Sequence, residues 1–272
     1  MKNNVFVSQT SSAKVLDIDK LPGHWLLAWL GKRVLRPGGI EMTRKMLEAI
    51  DIQITDNVVE LAPGLGATAK LVLAYNPASY TAIEQNPAAV DWVCKNLIGP
   101  NRRCLLGRAE NTRLPDASAT VVYCEAMLTM QPQQKKINIV QEAYRILETG
   151  GRLGLHELCL IPDDLSATIK EEIKTKLSNA IHVGARPLTP SEWRQLLIEN
   201  GFKVVEEAKA PMHLLTVARF IRDEGIFGFS RFVFHVMRHS VARRRVLNMR
   251  KVFKQYERNL AAILLVAVKS NV

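Results

Sequence analysis

Two carboxylates flank a glycine-rich turn in this 272-residue chain, and their placement suggests what the turn binds. Val58-Val59-Glu60-Leu61-Ala62-Pro63-Gly64-Leu65-Gly66 reads as a strand that runs into a tight turn and then a helix. Gly64 and Gly66 let the backbone turn sharply and let a ligand approach with no Cβ in its way. The helix that follows offers unpaired N–H groups at its start. Glu60 lies on the strand just before the turn. A pyrophosphate gains nothing from a carboxylate there, whereas a ligand carrying an ammonium and a sulfonium does. Glu84 ends the next strand, where nucleotide-binding folds set an acid on ribose hydroxyls. Arg108-Ala109-Glu110-Asn111 follow the third strand, where an adenine edge would lie.

The elements that must hold these residues follow from hydrophobic period and breakers. The first nineteen residues are a polar lead without the apolar core of a secretory signal. His24 to Val34 reads as a helix, broken by Pro37, Gly38 and Gly39. Ile40 to Ile50 reads as a second helix, with Ile40, Met46, Leu47 and Ile50 toward the core. Strands are expected at 58–62, 80–84, 103–106, 120–125 and 152–156, separated by helices, with Thr149-Gly150-Gly151 closing the helix that ends at Leu147. Helices at 165–180 and 189–199, a strand at 203–207, a mainly helical stretch at 211–259 and a last strand at 261–268 complete the chain. Such alternation implies an α/β fold: a Rossmann-like, doubly wound sheet of seven strands, mostly parallel with an antiparallel last strand. Residues 1–50 are expected to form an amino-terminal helical lid. Residues 51–272 would be the main domain, with helical cap segments at about 160–200 and 211–259.

Together with Glu142-Ala-Tyr-Arg-Ile-Leu-Glu-Thr-Gly-Gly-Arg-Leu153, these motifs resemble the class I S-adenosylmethionine-dependent methyltransferases. The likeness is greatest to the small-molecule branch that includes quinone C-methyltransferases, and it covers roughly residues 39–157. It implies S-adenosylmethionine as cofactor and assigns its contacts. Glu60 would meet the amino group of the methionine part, lined by Ala62, Pro63, Gly64 and Gly66. Glu84 would bind the ribose hydroxyls, and Gln85 would pack on adenine. Arg108, Ala109 and Glu110 would surround the adenine edge. Glu125 and Ala126 would lie by the methionine and the acceptor, and Gly38 and Gly39 would close over the cofactor. The chain departs from the family at Ala62, where glycine is usual, and at Arg108, where aspartate is usual. An arginine cannot accept the adenine amino hydrogen bond.

Methyl transfer from a sulfonium is an in-line displacement, so the protein mainly aligns the reactants and excludes water. A base is needed only if the nucleophile arrives protonated. His156, ending the fifth strand, and Glu125 are the candidate catalytic residues. His24, Trp25 and Trp29 form either an apolar lid over the site or a plain core stripe, and His182 and His213 lie in the segments that would roof it.

Of the net charge of +11, +8 lies between Arg231 and Arg258, with nine basic residues against Glu257. This basicity is a solvated helix face, or a surface for an anionic substrate, nucleic acid or membrane. Phe232, Phe234, Phe253 and Tyr256 are interleaved there. The four cysteines form no CxxC pair, which argues against zinc knuckles and disulfides and for reduced thiols in the cytoplasm. The expected function is methyl transfer to a small-molecule acceptor. The alternatives are a nucleic-acid methyltransferase that uses the basic segment, a non-catalytic cofactor-binding protein, and an enzyme that meets its acceptor at an anionic membrane.

Overall fold

Short β-branched runs alternating with amphipathic segments build one sheet from β1 (Asn57–Leu61), β2 (Ser79–Glu84), β3 (Arg102–Leu106), β4 (Ala119–Glu125), β5 (Leu147–Leu160), β6 (Phe202–Pro211) and β7 (Leu260–Lys269). The structure is a computed structural model that describes residues 17–97 and 99–270; most of the expected polar lead lies outside the described residues. Strand order is β3-β2-β1-β4-β5-β7-β6. β1 to β5 pair in parallel, and β7 runs antiparallel to both β5 and β6. The chain direction across the sheet reverses between β1 and β4, the position where open α/β sheets leave a crevice beyond the strands' carboxyl ends.

Helices cover both faces. On one side α2 (Gly39–Ile50), α3 (Ala67–Leu73) and α4 (Pro87–Asn96) pack over β1, β2 and β4. On the other, α5 (Gln133–Ile146) and α7 (Pro190–Glu199) do the same. Helix α2 buries Met42, Thr43, Met46, Leu47 and Ile50, the face its periodicity predicts. It can approach β5 closely because Gly154 has no Cβ; one placed there would lie 2.4 Å from Ile50 Cδ1. Helix α7 starts in a capping box, in which Thr189 accepts from the Glu192 N–H and Glu192 accepts in return. Four further helices, α1 (Gly23–Trp29), α6 (Ala167–Ile181), α8 (Val217–Arg238) and α9 (Ser240–Gln255), share a separate apolar cluster around Leu26, Leu30, Phe220 and Met249.

Three sequence expectations shift. Helix α1 ends at Trp29 rather than Val34, and Gly31 follows it with φ 106°. Ile40 is half-buried rather than in the core. Thr149-Gly150-Gly151 does not cap α5: that helix ends at Ile146, and β5 begins at once with Leu147. Leu147 is fully buried and pairs with Ala119, so tertiary burial draws it from the helix into the sheet. The stretch 211–259 forms α8 and α9, and α8 is bent at Gly225, whose φ of 75° is not helical.

Candidate active site

The turn after β1 is built from left-handed residues. Ala62 (φ 58°), Gly64 (φ 57°) and Gly66 (φ 68°) lie there, and Gly66 is the N-cap of α3. For Ala62 this conformation costs on the order of 1 kcal/mol, which explains why glycine suits the position. The strain is held by an Ala62 N–H bond to Ile83 O at 2.8 Å. Glu84 ties the turn to β2: its carboxylate accepts from Gly64 N–H (3.1 Å) and Asn86 N–H (2.9 Å). Burial pushes the Glu84 carboxyl upward, and those backbone donors pull against it. Asn86 in turn caps α4, and Trp92 Nε1 donates to Leu65 O from beneath the turn.

Glu60 is buried among aromatic residues and accepts a very short hydrogen bond from the Tyr80 hydroxyl. Burial raises its carboxyl to about 7 despite that bond. Beside it lies a second acid with the opposite behaviour. Glu125 accepts from Thr43 Oγ1 (2.6 Å), Arg36 Nη1 (2.7 Å) and Thr68 Oγ1, and His156 Nδ1 lies at 2.8 Å. Burial alone would raise Glu125, but Arg36 and His156 outweigh it and hold the carboxyl down to about 2. Two acids one strand apart therefore differ because one faces phenols and the other a guanidinium.

These residues line a cleft of about 460 Å³ beyond the carboxyl ends of β1, β2 and β4. Of the expected site residues, it brings together Glu60, Ala62, Pro63, Gly64, Glu84, Gln85, Glu125 and Ala126. The others lie outside its lining. Gly38 and Gly39 pack against protein: a Cβ on Gly38 would meet Met42 and Ala262, and one on Gly39 would meet Asp223 and Arg219. Gly66 rests on Val93. Ala109 packs on the core, Glu110 pairs with Lys135, and Arg108 bridges to Asn111. His156 is fully buried, with Glu125 at one ring nitrogen and Pro37 O, at 2.7 Å, at the other. Both ring nitrogens of His156 and both carboxylate oxygens of Glu125 are thus engaged with protein partners.

Sequence reasoning missed Arg36 and gave His24 no part beyond a lid or a core stripe. Arg36 reaches Glu125 across 89 positions, and its Nε and Nη2 are buried in the cleft wall without a hydrogen-bond partner. A lone arginine before Pro-Gly-Gly carries no spacing that betrays this pairing. His24 lines both the cleft and a second, apolar chamber of about 110 Å³. That chamber is walled by Leu27, Leu158, Leu177, Ile181, Met249 and Phe253, and it also shares Leu35, Ala126 and Met130 with the cleft. Burial lowers the His24 imidazole to about 4, so it is neutral at neutral pH. Glu157, just after His156, accepts from Met127, Leu128 and Thr129 N–H and so fixes the loop between cleft and chamber.

A cleft holding three carboxylates, Glu60, Glu84 and Glu125, and a guanidinium with spare donors suits a ligand that combines a zwitterionic amino acid with a vicinal diol. Residues 59–155 match a family model described as a methyltransferase domain. An uncharacterized protein of Haemophilus influenzae is 31% identical over 251 residues, covering 91% of this chain and 98% of that protein. The chain belongs to the class I S-adenosylmethionine-dependent methyltransferases. The methyltransferase also superposes on solved structures that share its fold. The MccD protein is one (TM-score 0.68, 18% identity), covering 86% of this chain and 99% of that one. Phosphoethanolamine N-methyltransferase 2 of Haemonchus contortus, in complex with S-adenosyl-L-methionine, is another (TM-score 0.68, 14% identity), covering 92% of this chain and 57% of that one.

Proposed function

We propose that this methyltransferase carries the methyl group to an apolar small molecule held in the chamber beside the cofactor cleft. The observation that carries the reading is the shared wall at Ala126, where a polar cleft adjoins a chamber lined almost wholly by aliphatic and aromatic side chains. Such a space rewards burial of an apolar acceptor and offers few partners to a nucleotide or peptide.

When bound, the cofactor supplies a methyl group already activated on a sulfonium. The chain's own residues bind and orient. Glu84 takes the ribose hydroxyls, Arg36 takes the carboxylate with its unpartnered nitrogens, and Glu60 takes the ammonium. Glu125 and His156 are positioning residues that hold Arg36 in place. The loop fixed by Glu157 sets Ala126 at the mouth of the chamber, and α1, α6 and α9 roof it against water. These helices serve as the lid and cap. His24, neutral and at the junction, is the group placed to accept a proton from an acceptor hydroxyl or similar nucleophile.

Incubating the enzyme with labelled cofactor and a cell extract tests this reading. Label in the organic-soluble, small-molecule fraction supports it; label confined to RNA or protein overturns it. Once a substrate is found, His24→Ala should lower kcat by about 10²-fold or more with little change in cofactor affinity. An unaltered kcat would remove His24 from the chemistry.

A further inference from the structure

We infer that the outer face of α8 and α9 docks the enzyme on an anionic lipid bilayer. Beyond the bend at Gly225, Ile226, Ser230, Val233 and Met237 follow one row of α8 at i, i+4, i+7 and i+11, with Phe227 and Phe234 beside it. Phe227 is 92% exposed, Ile226 67%, Met237 62% and Phe234 56%. On the opposite side of the helix, Phe229, Phe232 and Val236 pack on Leu26, Leu27 and Leu30 of the α1 segment. This half of α8 is thus apolar on two faces, and only the inner one rests against protein. Scattered exposed apolar residues are ordinary, but a contiguous aromatic and aliphatic row is not.

Charge identifies the occupant. From Ile226 to Tyr256 there are eight lysines and arginines and no acid. Arg231, Arg238, Arg244, Arg250, Lys251 and Lys254 are all exposed, and Leu247 is exposed among those on α9. Arg231 and Arg238 follow Phe227 and Phe234 by four residues, so the cations flank the apolar row. This is the pattern of a helix that lies in the headgroup layer, with apolar side chains inserted and cations on anionic lipid. A second copy of the chain would oppose a face that is mostly cationic to itself, Asp19 beside Arg244 being an acid at its edge. A polynucleotide would have little use for Ile226, Val233 and Met237. Of the four aromatics interleaved with the basic residues, which base stacking would need exposed, Phe232 and Tyr256 are buried and Phe253 lines the chamber, leaving Phe234 exposed. The inner face of α9 supplies Met249 and Phe253 to the chamber wall, so bilayer and chamber lie on opposite sides of the same helix. The link to acceptor delivery rests on the apolar-acceptor reading, whereas the docking itself needs no acceptor.

The test is flotation of the full chain with vesicles of phosphatidylcholine containing phosphatidylglycerol, and with phosphatidylcholine alone. Binding to the anionic vesicles should be at least about tenfold stronger and should weaken with salt. Phe227→Ser/Phe234→Ser/Met237→Ser should lose about tenfold or more of it, with circular dichroism and S-adenosylmethionine affinity unchanged. Arg238→Glu/Arg244→Glu is the second variant and should lose binding by the same criterion. Any of three results overturns the proposal: no flotation at low salt, full flotation by both variants, or light scattering that shows a dimer which the triple variant turns into monomers. Salt-sensitive polynucleotide binding in place of vesicle binding does so too. Flotation with label found only in RNA would sink the small-molecule reading and leave docking intact; organic-soluble label without flotation would do the reverse.

Discussion

At the residue scale, function turns on how burial and partners set charge. Glu60, raised to about 7, is the sensitive one. In the proposed assignment its carboxylate meets the cofactor ammonium only when deprotonated. Affinity for S-adenosylmethionine should therefore climb as pH rises through 7, then fall as the ligand's own amino group deprotonates above about 8. Titration calorimetry across roughly pH 5.5–9.5, which brackets both groups, checks this, and Glu60→Gln should flatten the acid limb. The same shift has the opposite sign for stability. The folded carboxyl binds its proton more tightly than the unfolded one, whose ordinary value is 4.5, so the ligand-free protein loses stability as pH rises from there through about 7. Glu60→Gln should remove that loss. With Glu84 on the ribose as proposed, its removal takes away two hydroxyl contacts together. With wild-type binding at about −8 kcal/mol, in the micromolar range, Glu84→Ala should weaken binding by about 100-fold, roughly 3 kcal/mol. Because Glu84 also accepts from Gly64 N–H, its loss loosens the turn itself. Unchanged affinity would remove Glu84 from the ribose site.

At the element scale, the close approach of α2 to β5 sets where Arg36 and the start of α2 can reach. Gly154 permits that approach. Gly154→Ala would press a methyl group on Ile50 and should cost about 1–3 kcal/mol in a denaturant titration. Ile50→Val removes the Cδ1 that the new methyl meets, so the double variant should recover part of the loss. A double variant less stable than the sum of the two changes would show that the clash lies elsewhere.

At the scale of the whole molecule, the helices over the cleft are fastened by acids of α8. Asp223 lies 3.8 Å from Lys32, both side chains fully buried, and accepts from Ile40 N–H. Glu224 accepts from Arg33 and Val34 N–H. Lys32 also sits over the Phe220 ring. Removing one buried partner strands the other charge, so Asp223→Ala should cost about 3–5 kcal/mol. Lys32→Met/Asp223→Leu should cost far less, because no charge is left unpaired. Thermal and denaturant unfolding of the three proteins decides it: equal losses would mean that the pair does not fasten the lid.

The sequence by itself determined the sheet, the turn and its flanking acids, because period, breakers and the Glu60–Gly66 spacing are local facts. The likeness to the family singled out Ala62, where glycine is usual, and the structure gives the reason in its φ of 58°. Only the tertiary structure decided which residues share a cavity. Gly38 and Gly39 read as a loop over the cofactor, yet they pack under α8; His156 read as a base, yet both its ring nitrogens are taken. Arg36 became visible only when folding set it against Glu125, and folding decided that His24, read as lid or core stripe, lies where cleft and chamber meet. The exposed row on α8 was equally hidden: an amphipathic repeat shows that a helix has apolar faces, but not which of them the rest of the chain will cover.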